Sequence, residues 1–405
     1  MKLGWSQRLL LRVRGLCEGS GRIGYAEAMR PMLLLLLTLF TVSGCTVREG
    51  TEMARTGDEI VIAGRYFHSG TKVVLWTDPG GYDAYRVEKR FTPWEKAQFD
   101  SWKDATKDSK SDGPRGPERF GLRYAEAGRG PAGTGEKLDE ATLARVRGGG
   151  WTLDDVRSHV DQFVLHYDVC GCSRQCFNIL HDHRGLSVHF MLDVDGVIYQ
   201  TLDVKERAWH ATTSNDRSVG VEIASPGAIA VPRDAAAAGW ILDGEGGLFV
   251  PPVKSVLGEW YARESGGGVR LVLPKWLGDG GVLTCSPDGT PFVPWVVAPG
   301  VQGSGLRVAV IQGQRLAQYP YTPQQQAALV KLAATLCEVL PGIRVECPRD
   351  NDGKVAVAKL PDEKLVKFTG IMGHYHLQTD KIDPGPAIDF ERLVSEVRHE
   401  VDRRK

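Results

Sequence analysis

Near the end of the sequence stands Gly373-His374-Tyr375-His376-Leu377-Gln378-Thr379-Asp380-Lys381-Ile382-Asp383-Pro384-Gly385-Pro386. It sets an imidazole, a primary amine and a carboxylate within ten residues, and the Pro-Gly-Pro that follows fixes the backbone just past the last of them. Such a segment can aim side chains at one point. Residues 368–372 ahead of it read as a strand that delivers His374, so the chain must build a sheet that ends here. Imidazole nitrogen and carboxylate oxygen are ligand types that zinc accepts, and a site with three protein ligands keeps a fourth position for water. Two such ligands lie in this segment, His374 (with His376 as an alternative) and Asp383, and a third has to come from elsewhere.

Upstream, Gln162-Phe163-Val164-Leu165-His166-Tyr167 is an apolar run with β-branched and aromatic residues, which predicts a buried strand with His166 at its C-terminal end. Residues 186–193 and 197–202 flank Val194-Asp195-Gly196, and Asp-Gly between two strand-like runs predicts a hairpin. Val219-Gly220-Val221-Glu222-Ile223 is a further strand with one carboxylate in an apolar setting, and a buried glutamate needs a partner or a task. Residues 173–183 suit a helix. Thr322 as N-cap and Pro323 in the first turn open a helix to residue 340, with Leu329, Leu332, Ala333, Leu336 and Leu340 on one face. A closing helix over 388–397 repeats the pattern through Phe390, Leu393 and Val397. The fold class is α/β, a central mixed β-sheet flanked by helices. His181, His183, His189 and His399 take the ordinary structural role of a lone histidine.

The 405 residues, 42% of them hydrophobic, suffice for two domains or one elaborated domain with a real core. Lysine plus arginine equals aspartate plus glutamate, 50 against 50, so no overall field draws the chain to nucleic acid. Met29-Arg30-Pro31-Met32, the leucine-rich run after it and the small residues before Cys45 describe a secretory signal over 29–45, too short to span a bilayer. Val42-Ser43-Gly44-Cys45 resembles the bacterial lipobox, which implies a lipid on Cys45, with an ordinary cleaved signal as the alternative. Both readings take the protein out of the cytoplasm; the lipobox reading anchors it in the bacterial cell envelope, at the periplasmic face of a membrane. Residues 1–28 fit neither signal nor domain and read as an upstream extension.

Export makes disulfides possible for Cys170, Cys172, Cys176, Cys285, Cys337 and Cys347. Cys337 and Cys347, at the end of the long helix and just after it, make one expected pair. The cluster Cys170, Cys172, Cys176 lacks the two-pair spacing of structural zinc modules and favours a disulfide over a metal. Residues 46–99 read as a short β-like N-terminal region, with strands at 60–67 and 73–76, and residues 100–150 as a polar linker. The catalytic domain follows over 151–400. Within it, about residues 226–318, dense in glycine and proline, read as a β-rich insertion. Its Trp240, Trp260, Trp276 and Trp295 either fill a small core of their own or line a ligand groove.

In chain order the sequence presents Val-Leu-His-Tyr at His166, the Asp-Gly hairpin, Arg207-Ala208-Trp209-His210-Ala211, Val-Gly-Val-Glu-Ile, Gly373-His374, and Lys381-Ile382-Asp383-Pro384-Gly385-Pro386. Over about residues 160–224 and 320–393 it resembles the zinc-dependent N-acetylmuramoyl-L-alanine amidases of the amidase-2 type, relatives of the peptidoglycan recognition proteins. Some members of that family are envelope lipoproteins. The resemblance implies His166, His374 and Asp383 as ligands of Zn2+ at the floor of a groove, Glu222 as catalytic carboxylate, Lys381 as oxyanion stabiliser, and Trp209 and His210 beside the substrate. It also implies a disulfide between Cys170 and Cys176, which match cysteines of the recognition proteins in spacing but stand closer to the histidine. The implied partner is peptidoglycan or a muropeptide, and the reaction is hydrolysis of the amide between N-acetylmuramic acid and L-alanine.

The chain departs from the family where His374 and Asp383 are one residue closer than usual, where His376 replaces a common acidic residue, and where Thr212 replaces glycine. The loop between the ligands therefore takes its own shape. Two other readings stand beside this one: a peptidoglycan-binding module without catalysis, and a zinc amidase acting on another acylated amine. Retention of all three ligands with Glu222 and Lys381 favours catalysis.

Overall fold

An apolar strand can bury both faces only where sheet neighbours and helices cover it. Gln162–Tyr167 meets that condition, buried from Gln162 through His166 between Gly370–Gly373 and Ser218–Ile223, both parallel to it. The computed structural model describes residues 49–85, 120–121, 139–147, 150–242, 249–252, 255–272, 292–301 and 305–405. The chain divides into two units, Met1–Ala54 and Arg55–Lys405, and the architecture that follows is that of the second. The expected extension, signal and Cys45 lie outside the described residues, as does Cys285. Among the described residues no helix is long and apolar enough to cross a membrane.

The central sheet has six strands in the order Gly370–Gly373, Gln162–Tyr167, Ser218–Ile223, Phe190–Leu192, Ile198–Gln200, Val73–Leu75. Phe190–Leu192 and Ile198–Gln200 run antiparallel and the other neighbours parallel, so the sheet is mixed. The hairpin turns at Asp195-Gly196, where Gly196 has a φ of +84°, a conformation open to glycine at no steric cost.

Pro323–Val339 packs on this sheet. Its N-terminus is closed by a reciprocal pair, Thr322 accepting from the Gln325 backbone and Gln325 accepting from the Thr322 backbone. Leu332 and Leu336 are fully buried, each contributing about 1.5–3 kcal/mol by leaving water. The closing helix Phe390–Arg404 packs beside it and runs further than the sequence pattern suggested, because Arg404 reaches Thr335 Oγ1 at 3.0 Å and Glu338 Oε2 at 2.8 Å.

Arg217 ties together the N-terminal ends of three parallel strands. It sits just before Ser218–Ile223, is 3% exposed, and donates to Asp161 Oδ1 at 2.6 Å, Val366 O at 2.6 Å and Phe368 O at 3.2 Å. These strands carry His166 and Glu222 at their opposite ends, and the third hands the chain to His374.

Four expectations need revision. The run at 60–67 is a hairpin, Glu59–Ile62 with Arg65–His68, turning at Ala63-Gly64 with φ values of +52° and +71°. Residues 73–75 then add the sixth strand to the central sheet, so this region belongs to the same unit as the expected catalytic domain. Ser173–Phe177 is α-helical but Asn178–His183 widens to a π-helix. Finally, all five described cysteines are free, so neither Cys170–Cys176 nor Cys337–Cys347 is bridged. Burial pushes the Cys337 thiol up to about 12, so it rests as the neutral thiol in this fold.

The insertion forms small antiparallel sheets, with Trp240, Leu257, Val269, Val297 and Tyr319 in a core of their own. Trp240 thus packs inside the insertion, while Trp260 closes over Gly171 of the main domain. Trp276 lies outside the described residues.

Candidate metal centre

Parallel register decides which side chains meet. His166 pairs with Glu222 on the neighbouring strand, and Leu165 pairs with Gly373, so the chain leaves the sheet at His374 beside His166. A short 3-10 turn, His374–His376, then leads into the loop that returns at Asp383. The Tyr375 N–H donates to Asp383 O at 3.1 Å and closes that loop.

Three atoms converge. His166 Nδ1, His374 Nδ1 and Asp383 Oδ2 lie 3.0 Å from one another, and the three residues are 2%, 7% and 9% exposed. A tetrahedral ion with nitrogen and oxygen ligands at 2.0–2.2 Å separates them by about 3.3 Å, so the triangle fits a small divalent cation. The protons agree with that use. Gln378 Oε1 accepts from His374 Nε2 at 2.7 Å, which leaves the Nδ1 lone pair facing the triangle. On the other side His166 Nε2 is 3.0 Å from His210 Nδ1, and His210 Nε2 is 3.2 Å from Ser218 Oγ. With each Nε2 donating outward, both Nδ1 atoms are free to bind a metal, the arrangement in which outer partners orient ligating histidines.

Electrostatics follow from burial. Desolvation, with His374 nearby, lowers His166 to about 4, so it is neutral at physiological pH. Burial works against the Asp383 carboxylate, but the charge and hydrogen bonds of His374 and His166 more than offset it and hold the group well below the usual carboxylate range. Glu222 is the opposite case. Burial, reinforced by Asp383 and Asp168, pushes it well above its ordinary value, and its Oε2 has no hydrogen-bond partner. The residue as a whole is half-buried, but a buried carboxylate oxygen without a partner is costly and calls for a proton, a water or an ion.

Of the other expected residues, Lys381 is half-buried and close enough for its charge to be felt at His166. Trp209 is half-buried under the Arg207 guanidinium, 4.3 Å from its ring, with an indole N–H that has no partner. His210, expected beside the substrate, has its Nδ1 3.0 Å from His166 Nε2. His376 is turned away from the triangle, accepting from Gly373 N at 2.9 Å and donating to Ala356 O at 2.8 Å. His189 accepts from Gly220 N at 3.1 Å and donates to Glu206 O at 2.9 Å, a structural role like the one expected.

Gln378, Ser218 and Gln312 join the site without having been expected there. Gln378 sits four residues after His374, a signal that was available. Gln312 was not findable: it lies at the tip of the insertion's last hairpin and donates to both Tyr375 O and Gln378 O at 2.8 Å, bracing the loop from outside.

Residues 156–241 match the N-acetylmuramoyl-L-alanine amidase family, Amidase_2. That segment includes His166, Trp209, His210 and Glu222; His374, Lys381 and Asp383 lie beyond it. No curated protein matches the chain. Among solved structures it is similar to the N-acetylmuramyl-L-alanine amidase AmiD from E. coli, at 14% identity and a TM-score of 0.29, covering 59% of this chain and 57% of AmiD. It is also similar to the endolysin amidase LysCS from Clostridium intestinale URNW, at 13% identity and 0.27, covering 60% of this chain and 86% of that one. These scores are too low to bear on function.

Proposed function

We propose that the protein is a zinc-dependent N-acetylmuramoyl-L-alanine amidase that hydrolyses the amide between N-acetylmuramic acid and L-alanine in peptidoglycan or its muropeptide fragments. One observation carries this reading: Glu222, whose buried Oε2 has no hydrogen-bond partner, stands in register beside His166, whose Nδ1 meets His374 Nδ1 and Asp383 Oδ2 at 3.0 Å. The match of residues 156–241 to the amidase family supports it.

His166, His374 and Asp383 would hold zinc, which when bound acidifies water to a pKa of about 7 and polarises a carbonyl. Glu222 takes the proton of the attacking water and returns it to the departing L-alanine amine. Its elevated pKa suits that exchange better than an ordinary solvated carboxylate would. The Lys381 ammonium supplies positive charge for the oxygen of the reacting carbonyl. Trp209 offers a ring face and an unpartnered indole N–H to the substrate. A binding module without catalysis would leave Glu222 with no task. The Val-Ser-Gly-Cys sequence supports a lipid on Cys45 and a place in the bacterial envelope.

The sugar requirement tests this reading against a broader zinc amidase. Muropeptides and acetylated peptides of the same sequence are incubated with the protein and their products resolved by mass spectrometry. Release of a stem peptide with a free L-alanine amine from muropeptides alone is expected; equal cleavage of the acetylated peptides would contradict the assignment.

A further inference from the structure

A second set of metal-ligand side chains lies next to the first. Asp168, Cys170 and Cys176 each bring one ligand atom to within 4.8 Å of the others, and all three residues are buried. Asp168 follows the His166 strand directly, and Cys176 comes from the helix Ser173–Phe177.

The hydrogen bonding of Asp168 is lopsided. Its Oδ1 accepts three backbone N–H groups, from Cys170 at 2.9 Å, Gly171 at 3.1 Å and Ser225 at 3.0 Å, while its buried Oδ2 has no partner. The three donors fix the carboxylate and leave one oxygen unused, which is how an outer shell presents a ligand. Trp260 covers the loop, its ring so close to Gly171 that a Cβ there would lie 2.4 Å away. Glu222, with its own unpartnered Oε2, is within electrostatic reach both of Asp383 and of Asp168, Cys170 and Cys176.

We propose that Asp168, Cys170 and Cys176 form a second metal site, for a thiophilic divalent cation of the zinc type. Two thiolates and a carboxylate are a donor set that zinc accepts, and binding releases the two thiol protons. A disulfide between the same cysteines would leave the Asp168 Oδ2 without a partner. A cation satisfies the thiolates and the carboxylate together, and adds positive charge within electrostatic reach of Glu222. The site does not require amidase activity, and only the zinc count below rests on the reading of the first site; the cadmium band does not.

The test uses the full chain, reduced and stripped of metal, with cadmium and zinc as probes. Cadmium should give an ultraviolet thiolate-to-metal charge-transfer band in the wild type and in His374→Ala, and no such band in the double variant Cys170→Ser, Cys176→Ser. Zinc by elemental analysis should fall from two equivalents to one in each of these variants, by loss of different sites. Asp168→Asn keeps the Oδ1 acceptor for the three backbone donors and removes the Oδ2 ligand, so it should stay folded and lose the second equivalent. The proposal is overturned if the band persists in the double variant, if the reduced wild type binds one equivalent that only His374→Ala removes, or if Cys170 and Cys176 become bridged with zinc present.

Discussion

Glu222 and His166 are register partners on adjacent parallel strands, so their side chains leave the same face of the sheet. The consequence is a carboxylate held beside the convergent His166, His374 and Asp383 set without being one of the three. Glu222→Gln preserves the shape and removes the proton acceptor. It should retain zinc and lose about 10²–10⁴-fold in turnover. Zinc content and rate are measured on the same sample, and a wild-type rate would remove Glu222 from the mechanism.

Asp383 carries the negative charge of the convergent set. Asp383→Ala should weaken zinc binding, read as faster loss of metal to a chelator. Undiminished retention would show that the ligand set is wrong.

Gly220 lies against His210, and a Cβ there would meet its ring at 2.5 Å. Gly220→Ala should therefore cost about 1–3 kcal/mol of stability and disturb the His210 contact to His166. Urea unfolding measures the first and zinc affinity the second. An unchanged midpoint would mean that His210 does not pack on this strand.

Arg217 is buried and serves three strand ends at once. Arg217→Ala leaves Asp161 and two carbonyl groups without their donor, at a cost of about 3–5 kcal/mol. Arg217→Lys restores charge but not the fork, and should recover only part of the loss in a thermal melt.

Glu59 gives a pH signature away from the site. Burial works against its charge, but donors from Thr56 and Gly57 outweigh it and lower its pKa from 4.5 to about 2. A depressed carboxylate contributes stability that is fully present above pH 4.5 and is lost as pH falls through 2. Glu59→Gln should be less stable than wild type at neutral pH by about 1.5–3 kcal/mol, and the gap should close on acidification. A gap independent of pH would contradict the hydrogen-bonded carboxylate.

Much of the central sheet was legible because its strands are continuous apolar runs with sharp ends. Gln162–Tyr167 and the Asp-Gly hairpin could be read directly, and the resemblance supplied His166, His374, Asp383 and Glu222 by motif. What was not legible depends on distant contacts. The sixth strand, Val73–Leu75, looks like an isolated β-run until it meets Ile198–Gln200. Gln312 braces the loop between His374 and Asp383 from a hairpin whose sequence says nothing of its target. The spacing of Cys170 and Cys176 suits a disulfide and does not reveal that an Asp168 carboxylate oxygen lies within 4.8 Å of both thiols.

The central claim is that a metal held by His166, His374 and Asp383 is needed for amide hydrolysis assisted by Glu222. The most direct measurement is the rate of stem-peptide release from a purified muropeptide, followed by mass spectrometry through chelation and zinc add-back. Release should stop with the chelator, return with zinc, and not return with zinc in Glu222→Gln. Release that continues in the metal-free protein would contradict it.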